Sequence, residues 1–203
     1  MKLPIDSVLP EDIVLSLKKS LLDELQRAFA LSKSTIETLD NYFIPVAYKK
    51  KQVILDYGER CTHCLLMVEG LVKSTFILDG IERIVWFMRK GEVVIAVHSW
   101  YDQQPSEEKL VAMENCICFA LSFDQVKDLK LHHHDYALLA LSLTEQYFNF
   151  SIQRTKWMQY TPQERLKDIH RMYPDLFLEI PSTDLAKFLG ISRVTLNRIR
   201  KSL

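Results

Sequence analysis

The chain has 203 residues, 48% of them apolar, and its 26 Lys and Arg balance 26 Asp and Glu. That is enough apolar material for one large or two small packed domains, and zero net charge excludes a protein that binds polyanions with its whole surface. No apolar run approaches the ~18 residues of a membrane span, and Met1–Pro10 lacks the apolar core of a signal peptide. A cytoplasmic protein with four reduced cysteines is expected.

Residues 11–42 carry a helical period, with Ile13, Leu17, Leu21, Leu25 and Phe29 recurring along it. A second short helix is predicted from about Ser34 to Phe43, ended by Pro45. From Val46 to Phe123 short β-branched and aromatic runs alternate with turns. The predicted strands are Val53–Tyr57, Leu65–Val68, Val72–Leu78, Ile81–Met88, Val93–Val97, Lys109–Met113 and Cys116–Ser122. Asp79-Gly80 between two such runs is a hairpin signal. Seven strands at this spacing point to a small barrel or two-sheet roll, with glycines at its corners and Trp86 and Phe87 in its core. From about His133 to Tyr160 there is no Pro or Gly, and a seam repeats in steps of four and three: Tyr136, Ala140, Leu143, Tyr147, Phe150, Arg154, Trp157. This is a coiled-coil rhythm. Leu138, Leu139, Leu141, Phe148, Ile152 and Met158 widen the apolar surface, so that one face can pack on the roll while the other joins a second copy as a homodimer. Thr161-Pro162-Gln163-Glu164 is a capping box that breaks the helical axis near Tyr160 and starts a new helix through Arg171.

The last 22 residues read as a helix-turn-helix. Ala186 allows close packing, Gly190 tolerates the turn, and Leu185, Leu189, Ile191, Leu196 and Ile199 fill the inward positions. Ser192 is placed to cap a second helix bearing Arg193, Asn197, Arg198, Arg200 and Lys201. Residues 182–203 hold five basic side chains against one acid, a local +4 in a neutral chain. A concentration of positive charge on one small module points to double-stranded DNA.

The order of N-terminal helices, glycine-cornered roll, long helix and helix-turn-helix resembles the Crp/Fnr superfamily of bacterial transcription regulators over essentially the whole chain. The resemblance is carried by ILDYGERCTHCLLMVEGLVKSTFILDGIERIVWFMRKGE in the roll, by the long helix, and by IPSTDLAKFLGISRVTLNRIRKSL at the end. It implies an α+β fold with a double-stranded, jelly-roll-like β-roll. Residues 1–131 would form the sensor, 132–160 the dimerisation helix and hinge, and 161–203 the DNA-binding domain. It implies that Ser192, Arg193, Val194, Asn197 and Arg198 meet base edges and nearby phosphates, that Arg200, Lys201 and Lys187 meet phosphates or solvent, and that RNA polymerase is a partner. Two departures stand out. Family members that bind cyclic AMP place an arginine and a small residue after a Gly-Glu pair, where it neutralises the cyclic phosphate. Here Gly91-Glu92 is followed by no arginine before Arg154. The effector is therefore expected to be something other than cyclic AMP, with Glu92 either a hydroxyl-binding contact or an ordinary turn carboxylate. No counterpart of the family's β-hairpin wing is expected after the last helix, and Val194 stands where several members carry an acidic base-reading residue, which implies fewer phosphate contacts and a different operator.

Cys61-Thr62-His63-Cys64 with Cys116-Ile117-Cys118 lacks standard zinc spacing, and alternation puts Cys116 and Cys118 on one face of a strand, a normal place for core thiols. His132-His133-His134 marks a solvated junction, and no metal or cofactor is expected. His63 and His98 do not make the H-x-H pair of a metal-dependent cupin, and no nucleophile elbow, P-loop or H-E-x-x-H occurs. No enzymatic activity is expected. Two rivals to a DNA-binding regulator remain: a ligand-binding roll whose C-terminal module binds protein, and a cupin-like metalloprotein.

Overall fold

A computed structural model describes residues 1, 3, 9–174 and 180–200. Two N-terminal helices, α1 (Glu11–Phe29) and α2 (Lys33–Tyr42), lead into eight strands: β1 (Ile44–Tyr48), β2 (Val53–Leu55), β3 (His63–Glu69), β4 (Leu71–Leu78), β5 (Ile81–Arg89), β6 (Val93–Val94), β7 (Glu108–Ala112) and β8 (Cys116–Ser122). A short helix, α3 (Val97–Asp102), interrupts the strands. Then come α4 (Phe123–His132), the long α5 (His134–Gln159), α6 (Pro162–Met172), α7 (Ser182–Leu189) and α8 (Arg193–Arg200).

The strands form two antiparallel four-stranded sheets, ordered β1-β8-β3-β6 and β2-β7-β4-β5. Together they are the expected roll. Between them lies a core that includes Tyr48, Leu55, Leu65, Met67, Val72, Leu110 and Cys118, each at most 2% exposed. The β4–β5 hairpin closes with Leu78 opposite Ile81, and Asp79 and Gly80 both take positive φ (53° and 72°), as a two-residue turn with the strands' own twist requires. At the β3–β4 corner Gly70 has φ 110°, and a Cβ there would lie 2.6 Å from the Cys116 sulfur and 2.8 Å from its Cα. The two sheets approach at that corner as closely as a bare backbone permits.

Pro45 ends no helix. It lies inside β1, a strand the sequence pattern did not show, and proline is tolerated there because β1 is a sheet edge. The run from Val93 is a strand for two residues only, before turning into α3. Helix resumes at Phe123, ten residues ahead of expectation, because Ser122 and Gln125 make a reciprocal capping box.

The N-termini of α2 and α5 are tied together. The Ser32 amide donates to the Asp135 carboxylate at 2.6 Å, and the buried Thr35 hydroxyl donates to it at 2.7 Å. Burial alone raises the Asp135 pKa, but these donors and the Tyr136 amide outweigh it and hold the carboxyl well below the usual range.

Candidate functional site

α7 and α8 are a compact helical pair. Gly190 ends α7 in the left-handed region, φ 68°, while the Ile191 amide reaches back to the Ala186 carbonyl at 3.0 Å. Ser192 then caps α8 by accepting from the Thr195 amide at 3.0 Å. Leu185, Ala186, Leu189, Leu196 and Ile199 are buried between the helices and Ile191 is half-buried, as their spacing implied. The pair is not a free appendage. α7 packs on β5, with the Phe188 ring 5.7 Å from both Trp86 and Phe87. Asp184 pairs with Lys73 of the roll at 3.3 Å, and Lys187 stands 3.9 Å from Glu82. The only acid in the pair is thus neutralised on the side facing the roll.

The opposite side carries Ser192, Arg193, Val194, Asn197 and Arg198, all exposed, with Val194 at 79%. Arg193, Val194, Asn197 and Arg198 sit at spacings of one, four and five, which places them on one broad face of α8. Arg193 and Arg198 form no ion pair within 4.0 Å among the described residues. Arg200 differs: it is half-buried and donates to the Ser182 hydroxyl at 2.8 Å, bracing α8 against the start of α7. Lys201 lies outside the described residues.

The joint between α5 and this pair also rests on Arg165 and Asp168, which the sequence did not mark. The Arg165 guanidinium donates to the carbonyls of Trp157 (2.8 Å), Leu189 (3.1 Å) and Tyr160 (3.4 Å), so one cation satisfies the C-terminal ends of both α5 and α7. Asp168 accepts from the Trp157 indole at 2.8 Å and from Gln153 at 2.9 Å. The Thr161–Glu164 capping box forms as expected and turns the chain into α6. Trp86, expected in the roll core, is a half-buried hub instead. Its ring lies 4.1 Å from Phe150, 5.5 Å from Tyr173 and 5.7 Å from Phe188, joining roll, long helix and helical pair.

Most of the seam of α5 faces inward, although Tyr147 stays 43% exposed. Tyr136 and Trp157 are buried against the chain's own core, and Ala140, Leu143, Tyr147, Phe150 and Arg154 line a cavity of about 450 Å3 between the roll and α5. The expected second face is a different set: Leu138, Leu141, Phe148, Ile152 and Met158 are exposed, while Leu139 is buried.

Glu92 belongs to the cavity wall, where it also closes the β5–β6 turn. It accepts from the Arg89 amide at 3.3 Å and pairs with the Arg89 side chain at 3.5 Å. Burial raises its pKa. Lys109, the only Lys or Arg between Val93 and Asn115, is turned onto Asp56 at 3.0 Å.

The cysteines are buried and unpaired. Burial pushes the Cys61 thiol up to about 11 and the Cys64 thiol up to about 12, which disfavours the thiolate that binds metals. Among the described residues no three His, Cys, Asp or Glu side chains converge on a metal-sized site, and no helix is long and apolar enough to cross a membrane.

The family model of the cyclic nucleotide-binding domain matches residues 45–133, which span β1 to α4. No curated protein matches the sequence significantly. Solved structures do match in fold. A CooA mutant from Carboxydothermus hydrogenoformans superposes with TM-score 0.67 at 13% identity over 82% of this chain and 78% of its own. The c-di-GMP-responsive global regulator CLP from Xanthomonas campestris gives 0.65 at 17% identity over 84% and 91%. A transcriptional regulator of the crp/fnr family from Eubacterium rectale gives 0.65 at 16% identity over 85% and 83%. The chain shares the fold of these proteins over most of its length.

Proposed function

We propose that this chain is a homodimeric, DNA-binding transcription regulator of Crp/Fnr type whose roll senses a small effector other than cyclic AMP. The observation that carries the reading is the exposed face of α8. Arg193, Val194, Asn197 and Arg198 project from a helix whose opposite side is locked by Leu196 and Ile199, and which the roll leaves uncovered. Such a helix fits a major groove, where arginine can bond guanine through two donors and an apolar side chain can meet a thymine methyl. The apolar outer face of α5 supplies the surface for a second copy. Two heads set about 34 Å apart would then read a roughly palindromic site. The likeness to regulators also supports a cytoplasmic protein that contacts RNA polymerase and is regulatory rather than catalytic.

Selection of duplexes from a random pool, followed by anisotropy titrations at several salt concentrations, tests the reading. Arg193→Ala and Arg198→Ala should each cost about 1–3 kcal/mol on the selected duplex and relax base preference. Equal loss on every duplex reassigns them to phosphate contacts. Absence of any salt-dependent duplex binding overturns the proposal in favour of a protein-binding module.

A further inference from the structure

The cavity between the roll and α5 is walled mostly by hydrocarbon and aromatic carbon, with Leu66, Val85, Trp86, Met88 and Leu143 among its lining. Into that wall α5 brings one guanidinium, Arg154, which is half-buried. Among the described residues its side chain makes no hydrogen bond and no ion pair within 4.0 Å, and none of its nitrogens is sealed from access. The carboxylate whose field it feels is Glu108, and that group already accepts from the Ser74 hydroxyl. Lys130, the other cation of the lining, is exposed to solvent. A fork of donors that has shed much of its water and found no fixed acceptor is matched by a planar oxyanion, which takes two parallel bonds at once.

We propose that this cavity binds a small organic carboxylate, with an apolar chain or ring against the aromatic wall and its single carboxylate held by Arg154. A cyclic nucleotide suits it less well, because a ribose and a base would set several polar atoms against carbon. The volume lies within the range of about 300–1,000 Å3 usual for small-ligand sites. Trp86 touches both this cavity and Phe188 of α7, so an occupant that moves the indole moves the helical pair. The inference takes the roll to be the sensor proposed above, and its test reads binding alone, so that it can fail while DNA binding stands.

The full chain is titrated with 8-anilinonaphthalene-1-sulfonate, an aryl oxyanion that fluoresces in apolar surroundings, and with N-phenyl-1-naphthylamine, its uncharged counterpart. Each is then displaced with decanoate or with cyclic AMP. Both probes should bind saturably, one per chain, and decanoate should displace both. Arg154→Gln should weaken the sulfonate and decanoate about tenfold or more while leaving the uncharged probe within about twofold, and Arg154→Lys should recover part of the loss. Equal weakening of charged and uncharged probes would show that Arg154 only shapes the cavity and would overturn the proposal. So would unchanged sulfonate and decanoate binding in Arg154→Gln, or displacement by cyclic AMP at concentrations where decanoate has no effect.

Discussion

The two faces of α5 are both rich in apolar side chains, but they live in different surroundings. The inward face, from Tyr136 through Leu139 and Leu143 to Trp157, packs against the roll and the helical pair and supplies most of one cavity wall. On the outward face, Leu138, Leu141, Phe148, Ile152 and Met158 are 42–76% exposed. The regular four-three seam belongs to the inward face. That rhythm is usually taken as the signature of a helix meeting another helix, yet here it meets a β-roll and its own C-terminal helices. A repeating seam reports that a helix is covered along one stripe, and the identity of the cover lies elsewhere in the chain. The less regular set is the one that the proposed dimer would use.

The comparison can be broken most severely at Trp157. It is 2% exposed, and its indole donates to Asp168, so Trp157→Ala should cost about 3–5 kcal/mol in denaturant unfolding, from cavity formation together with the loss of one of the donors to that carboxylate. A loss below about 1 kcal/mol would mean that the C-terminal half of α5 is not held as described.

Asp135, at the start of the same helix, should give a smaller and pH-dependent effect. Asp135→Asn should cost about 1–3 kcal/mol at neutral pH, because a charged acceptor for the Ser32 amide and Thr35 hydroxyl is lost. The folded-state pKa is depressed, so the contribution is present above the ordinary aspartate value, about 4, and disappears as pH falls through the lower folded value. The stability gap between wild type and variant should therefore narrow steadily below about pH 4. A gap that stays constant into acid would assign the effect to packing.

The smallest effect on folding belongs to the outward face. Phe148 is 64% exposed, so Phe148→Glu should change chain stability by no more than about 0.5 kcal/mol, measured at low protein concentration. Sedimentation should nevertheless show the wild type as a dimer and the variant as a monomer. Identical sedimentation of the two would remove this face from the proposed interface.

Much of the fold was legible wherever the signal is short-ranged. Asp79-Gly80, the Thr161–Glu164 box, Gly190 and Ser192 each act through bonds to residues within four or five positions, and each formed as its local chemistry requires. The elements that escaped notice were those in which neighbours outvote local preference. β1 contains a proline that only an edge position accommodates, and α3 has six residues, too few to show a period. The start of α4 carried a readable box at Ser122 and Gln125, masked because Ser122 also ends a strand. Of the α8 side chains expected to face outward, Arg193, Val194, Asn197 and Arg198 do so, since a helix period with a buried stripe leaves them no other side. Arg200 is partly turned onto Ser182, a contact between residues 18 apart that no local pattern encodes.

Taken by itself, the chain's order of residues settled where helices and strands begin and end at capped or glycine-marked sites, and which stripe of each helix is apolar. Those outcomes depend on backbone bonds and side-chain periods spanning only a few positions. Tertiary structure alone decided that the α5 seam covers the roll, that Arg154 enters an apolar cavity, that Trp86 joins three elements, and that Arg165 closes two helix ends at once. Each of these unites residues from separate elements, and burial is set by the company a side chain keeps in space, which neither its type nor its nearest neighbours along the chain prescribe.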